Sequence, residues 1–114
     1  MKDYRVRYKI FLHLRMPKIY NYLGFIFFFY SNEHLPIHCH VQKGDKEVKA
    51  EIEFIDGKPS VRFLKIRSKE IFDQKDLNKI KTFINTHAQQ IVNKWRDFFI
   101  LGKSPNFEKV KVKK

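Results

Sequence analysis

His38 and His40 are the side chains of this sequence best suited to chemistry, and they stand two positions apart. In an extended chain alternate residues share a face. Both imidazoles then point one way, while Ile37, Cys39 and Val41 point the other. Three uses of the pair are open. In the first, His38 or His40 works as a general acid or base, since imidazole titrates nearest neutrality, and Glu51 orients it. Arg62 or Lys49 would stabilise charge building at phosphorus, Phe27 and Phe29 would stack bases, and Lys43 would add a backbone contact. This is the outline of a metal-independent ribonuclease. In the second, His34, His38 and His40 ligate a metal, with His34 arriving from the preceding turn and no obvious fourth ligand. In the third, the rings are half-exposed sheet histidines in cross-strand pairs of small energy. No phosphate-binding glycine loop, nucleophile elbow or zinc-ribbon spacing is present, so no cofactor is expected.

The elements that must position these residues follow from hydrophobic period. From Tyr22 to about Ile66 the period is mostly two, broken by Ser31–Pro36, Lys43-Gly44-Asp45 and Asp56-Gly57. This predicts four strands, Phe25–Tyr30, Ile37–Gln42, Glu47–Phe54 and Ser60–Ile66, joined as antiparallel hairpins. A fifth strand is possible in the N-terminal segment, where Tyr4, Val6, Tyr8 and Ile10 alternate. Register follows from keeping the apolar residues together, because a one-residue slip turns a strand's core side chains into water. Val41 is then beside Val48 and Cys39 beside Ala50, which sets His40 by Lys49 and His38 by Glu51. In the next hairpin Ile52 meets Val61, setting Glu51 by Arg62. Backwards, Phe28 meets Cys39 and Ile26 meets Val41, so Phe27 and Phe29 would flank the histidines. Beyond Asp73 the period becomes 3.6: Leu77, Ile80, Ile84, Ala88, Ile91, Trp95 and Phe98 form a stripe. Asp73 is the expected N-cap and Gly102 the end, with Asn85-Thr86 weak enough to split the stretch in two. The expectation is an α+β domain in which one long or two consecutive helices pack on one face of the sheet.

At 114 residues the chain suits one domain, placed at residues 16–102 between a basic extension at 1–15 and a basic tail at 103–114. Its net charge is +12, of which residues 1–18 carry +5 and residues 102–114 carry +4. Basic ends of this kind favour phosphate backbones or an acidic protein partner, so RNA and such a partner are the expected ligands. A homodimer built on the phenylalanine-rich face is a further possibility. Cys39 is the only cysteine, which suits a reducing compartment. The apolar run Leu23–Tyr30 is far shorter than the roughly 20 residues of a membrane span and lacks a small-residue cleavage site. A cytoplasmic protein without a membrane partner is therefore expected.

One stretch resembles a known family. Met16-Pro17-Lys18-Ile19, Gly24-Phe25-Ile26 and Glu33-His34-Leu35-Pro36-Ile37-His38-Cys39-His40-Val41 are similar to the small bacterial proteins grouped as domain of unknown function 4160. These show a start like M-P-x-I, a strand opening with glycine, and D-H-x-P-P-H-F-H-V. The resemblance continues through Trp95 and Gly102 and leaves residues 1–15 outside. It implies a small α+β domain and a neighbouring small gene, in arrangements of the toxin–antitoxin kind, without an established reaction. It points to His34, Pro36, His38, His40 and Val41. The sequence departs from the pattern at Leu35, Ile37 and Cys39, and at Phe28, where a basic residue is frequent. Taken together, the expected function is a toxin-like component that acts on or binds RNA. The alternatives are a non-catalytic nucleic-acid-binding regulator or a homodimeric scaffold.

Overall fold

The computed structural model describes residues 16–33 and 35–111. In chain order it places β1 (Lys18–Tyr22), β2 (Phe25–Phe28), β3 (His38–Lys43), β4 (Lys46–Ile55), β5 (Lys58–Lys65), the helix α1 (Gln74–Phe99) and β6 (Glu108–Val110). The strands form one sheet in the order β5-β4-β3-β2-β1-β6. Successive strands from β1 to β5 are antiparallel, whereas β6 runs parallel to β1. The class is α+β, as expected. The sheet is nevertheless six-stranded and mixed, where four or five antiparallel strands were expected. β1 and β6 are short segments in which alternation is too brief to read, and β6 lies inside the stretch expected to be a tail. The expected strand through Tyr4–Ile10 lies outside the described residues.

The hairpins have local causes. Leu23-Gly24 and Asp56-Gly57 both take positive φ, at 55° and 86° and at 52° and 78°. That is the pair of left-handed residues which lets a two-residue turn match the strands' twist. Gly24 also approaches β3, since a Cβ there would lie 3.4 Å from the Lys43 side chain. The pairings β3–β4 and β4–β5 have the register the apolar pattern dictates, including His38 with Glu51, His40 with Lys49 and Glu51 with Arg62.

The β2–β3 pairing differs by one residue. Phe28 lies beside His40 and Phe27 beside Val41, so β2 presents its faces opposite to expectation. Phe25–Tyr30 is apolar or aromatic throughout, so alternation cannot choose a face there. Packing makes the choice. Phe27 lies 4.7 Å from Phe83 of the helix between ring centroids, and Phe29 stacks with Phe98. Phe25, Phe27 and Phe29 are thus buried under the chain's own helix, which removes the open phenylalanine face invoked for a dimer.

α1 starts where Asp73 accepts a hydrogen bond from the Asp76 backbone N–H at 2.8 Å, satisfying one unpaired donor of the first turn. It is one helix with a kink at His87 (φ −109°, ψ 16°), next to the weak Asn85-Thr86 step. There the ring Nδ1–H of His87 donates to Phe83 O at 3.0 Å, and the Thr86 hydroxyl donates to Thr82 O. Side-chain donors of this kind bend a helix by competing for its carbonyls. Ile80, Phe83, Ile84, Ala88, Ile91 and Trp95 face the sheet and are buried. Farther along, Lys94 ties β6 down: its Nζ is 2.9 Å from Glu108 Oε2 and donates to Asn106 O at 2.8 Å. At the opposite edge β5 pairs with β4 alone and bears Lys58, Arg62 and Lys65.

Candidate functional site

The helix-free face of the sheet carries the site. Strand alternation puts His38 and His40 of β3 on this face, with Phe28 of β2 and Glu47, Lys49 and Glu51 of β4 beside them. Instead of ending in open solvent, the turn after β2 folds back and sets Glu33 over both rings. His38 Nε2 is 3.1 Å and His40 Nε2 2.6 Å from the same oxygen, Glu33 Oε1. Both histidines are only 1% exposed, whereas the Glu33 side chain is 37% exposed. The imidazoles therefore form the floor, and the carboxylate forms the rim.

Each ring is also held from behind. His38 Nδ1 donates to Pro36 O at 2.7 Å, an assignment forced by a carbonyl that can only accept. His40 Nδ1 lies 3.3 Å from Glu47 Oε2, within ion-pair reach, though its direction makes no hydrogen bond. Glu47 is itself buried and accepts from the Tyr30 hydroxyl. Tyr30 meets the His40 ring edge-on at 4.5 Å and Phe28 stacks on it at 5.5 Å. Burial pushes His40 below the ordinary histidine range, against the opposing pull of Glu33, so the neutral ring is favoured near neutral pH. At Glu33 burial works to raise the carboxyl, but the His40 ring, Lys49 and His38 outweigh it and hold it below the usual range. The Tyr30 phenol is pushed up to about 12 by burial and by the Glu47 charge.

Placed in this geometry, the expected site residues separate. His38 and His40 do share a face, and Lys49 is close enough for its charge to act on Glu33. Glu51 was expected to orient an imidazole, but the carboxylates at the rings are Glu33 and Glu47. Glu51 stands beside His38 in register with its side chain part-exposed, and Arg62 is exposed one strand farther out. Phe27 and Phe29 lie on the opposite face under the helix, so they present no ring for a base to stack on. Lys43 caps the helix side, its Nζ 4.6 Å from the centre of the Phe25 ring and donating to Leu23 O. His34 lies outside the described residues.

Three residues went unread as site members: Tyr30, Glu33 and Glu47. Glu33 had a signal, since it heads the histidine stretch where the family pattern has an aspartate. Glu47 is the first expected residue of its strand and reads as an ordinary polar position until its burial is seen. Glu33, His38 and His40 together offer three donor atoms lying within 4.8 Å of one another, a set able to hold a metal ion.

No curated protein and no solved structure matches the chain. A family model described as Domain of unknown function (DUF4160) matches residues 24–96, which include every strand from β2 to β5, the described residues of the site and most of α1. The chain belongs to this family.

Proposed function

We propose that the protein is the basic, RNA-directed component of a two-protein module of the toxin–antitoxin kind, held in check by an acidic protein partner. The observation that carries this reading is the make-up of the helix-free face. Lys49 and Arg62 stand there beside a buried imidazole–carboxylate cluster, on a chain of net charge +12. Phosphate oxygens gain from such cations by releasing condensed counterions, and an acidic protein surface competes for the same charges. The phenylalanines play no part in this version, since they are spent on the core. A second reading is a non-catalytic nucleic-acid-binding regulator. The covered imidazoles favour it: no ring of the cluster is open to an RNA backbone while Glu33 is seated.

Two measurements test the proposal. Single-stranded RNA should bind with an affinity that falls steeply with salt. The double variant Lys49→Gln/Arg62→Gln should weaken it and lower the salt slope by about two, near one per lost phosphate contact. Expression in a bacterial host should arrest growth, and the double variant should relieve the arrest. RNA affinity unmoved by the two substitutions would remove the face from the proposal. RNA binding without growth arrest or RNA loss would leave the regulator.

A further inference from the structure

The two histidines pose an electrostatic problem that their surroundings do not solve. Because His38 Nδ1–H is committed to Pro36 O, a neutral His38 ring carries its lone pair on Nε2. That lone pair faces Glu33 Oε1 at 3.1 Å, which also brings only lone pairs. His40 Nε2 points at the same oxygen from the other side, at 2.6 Å. Three electron-rich atoms thus converge on one small volume at the rim of a buried floor. Something positive belongs among them, either a proton on an imidazole or a metal cation.

The outer contacts favour a metal. A ligating histidine usually offers its other ring nitrogen to a carbonyl or carboxylate, which fixes the ring and raises its basicity. Both rings meet this description in different ways, His38 through the Pro36 carbonyl and His40 through the carboxylate of Glu47 opposite its Nδ1. Distances agree as well. A divalent ion about 2.0–2.1 Å from tetrahedral nitrogen and oxygen donors keeps those donors about 3.3 Å apart. The three atoms here lie within 4.8 Å of one another, and the two contacts to Glu33 are slightly shorter than that spacing. The histidines are fixed on a central strand, so the adjustment falls to Glu33, whose side chain is part-exposed on a turn.

We propose that His38 Nε2, His40 Nε2 and the Glu33 carboxylate form a three-residue site for a divalent transition metal of the zinc class, with a coordination position left for water. Two imidazoles and one carboxylate suit zinc, iron(II), cobalt(II) or nickel(II) better than magnesium or calcium, which prefer all-oxygen shells. Three protein ligands with an open position are the pattern of catalytic rather than structural zinc. This inference stands on the donor geometry and does not depend on RNA being the ligand of the basic face.

The test uses the full-length chain stripped with chelator, with Co²⁺ and Zn²⁺ alone as probes. Co²⁺ titration should give visible d–d absorption that saturates at one ion per chain and is displaced by Zn²⁺. Glu33→Gln, on the part-exposed turn, should keep the near-ultraviolet circular dichroism of the fold and weaken Zn²⁺ at least tenfold. Glu47→Gln should weaken it by about 10–100-fold, as loss of an outer-shell partner does. His38→Ala and His40→Ala should abolish saturable binding. Should these buried substitutions unfold the chain, the folded Glu33→Gln protein decides alone. Absence of saturable Co²⁺ binding would overturn the site and leave a proton as the shared cation. Binding that Glu33→Gln leaves unchanged would overturn it too, by placing the ion elsewhere on the chain.

Discussion

Cys39 stands between the two histidines in sequence and on the other side of the sheet in space. Its thiol is buried with Val41 and Ala50, and burial pushes it up to about 12, so it behaves as a small apolar side chain. Tyr20, in the same core, is also pushed to about 12, first by burial and then by the Glu108 charge. Both groups hold their protons more tightly folded than unfolded. Their contribution to stability is complete below the unfolded values of 9.0 and 10.0 and is lost as pH rises toward 12. Denaturant unfolding followed from pH 7 to 11 should therefore show stability falling from about pH 9 upward. Tyr20→Phe should make that fall shallower at its upper end, and an unchanged profile would deny Tyr20 the role. At this scale much was legible in advance: the shared side of His38 and His40, the inward side of Cys39 and the capping role of Asp73 all follow from period and residue type. What could not be read was which carboxylate meets the rings. That depends on how the turn after β2 folds back, and no periodicity encodes such a return.

Among the elements, the contrast between β2 and its neighbours shows what register inference needs. β4 alternates Val48, Ala50 and Ile52 with charged residues, so its pairing with β3 and β5 could be deduced to the residue. β2 offers no polar residue in four, and the choice fell to shape, with Phe83 accepting the Phe27 ring. β6 was illegible for another reason: it is three residues long and is held by a contact distant in sequence. Lys94 supplies that contact from a side chain that is only 10% exposed. Replacing it leaves Asn106 O without its donor and Glu108 without its partner. Lys94→Met should lower unfolding stability by about 1–3 kcal/mol, the cost typical of stripping partners from polar groups near a core. Amide exchange at Tyr20–Tyr22 should quicken in the same variant as β6 detaches from β1. Protected amides in β1 despite the substitution would show that the parallel pairing holds without the lysine.

For the whole molecule, the layout assigns its two sheet faces different work: one is filled by the helix, and the other keeps a cluster of imidazoles and carboxylates beneath a turn. No helix of the described residues is long and apolar enough to cross a membrane. A sheet of this kind, closed on one side by three-residue β6, ends on the other in β5, eight residues whose outer backbone groups no strand of the chain pairs. Bare rims of that length invite a second molecule to add on edge to edge. Here Lys58, Arg62 and Lys65 would face their own copies across any such seam, a repulsion that salt screens within about 10 Å at 0.1 M. Light scattering should accordingly find concentrated protein dispersed in dilute buffer, and Lys58→Thr/Lys65→Thr should bring on self-association there. These cations would then serve colloidal restraint, keeping neighbouring copies from zipping into an endless ribbon.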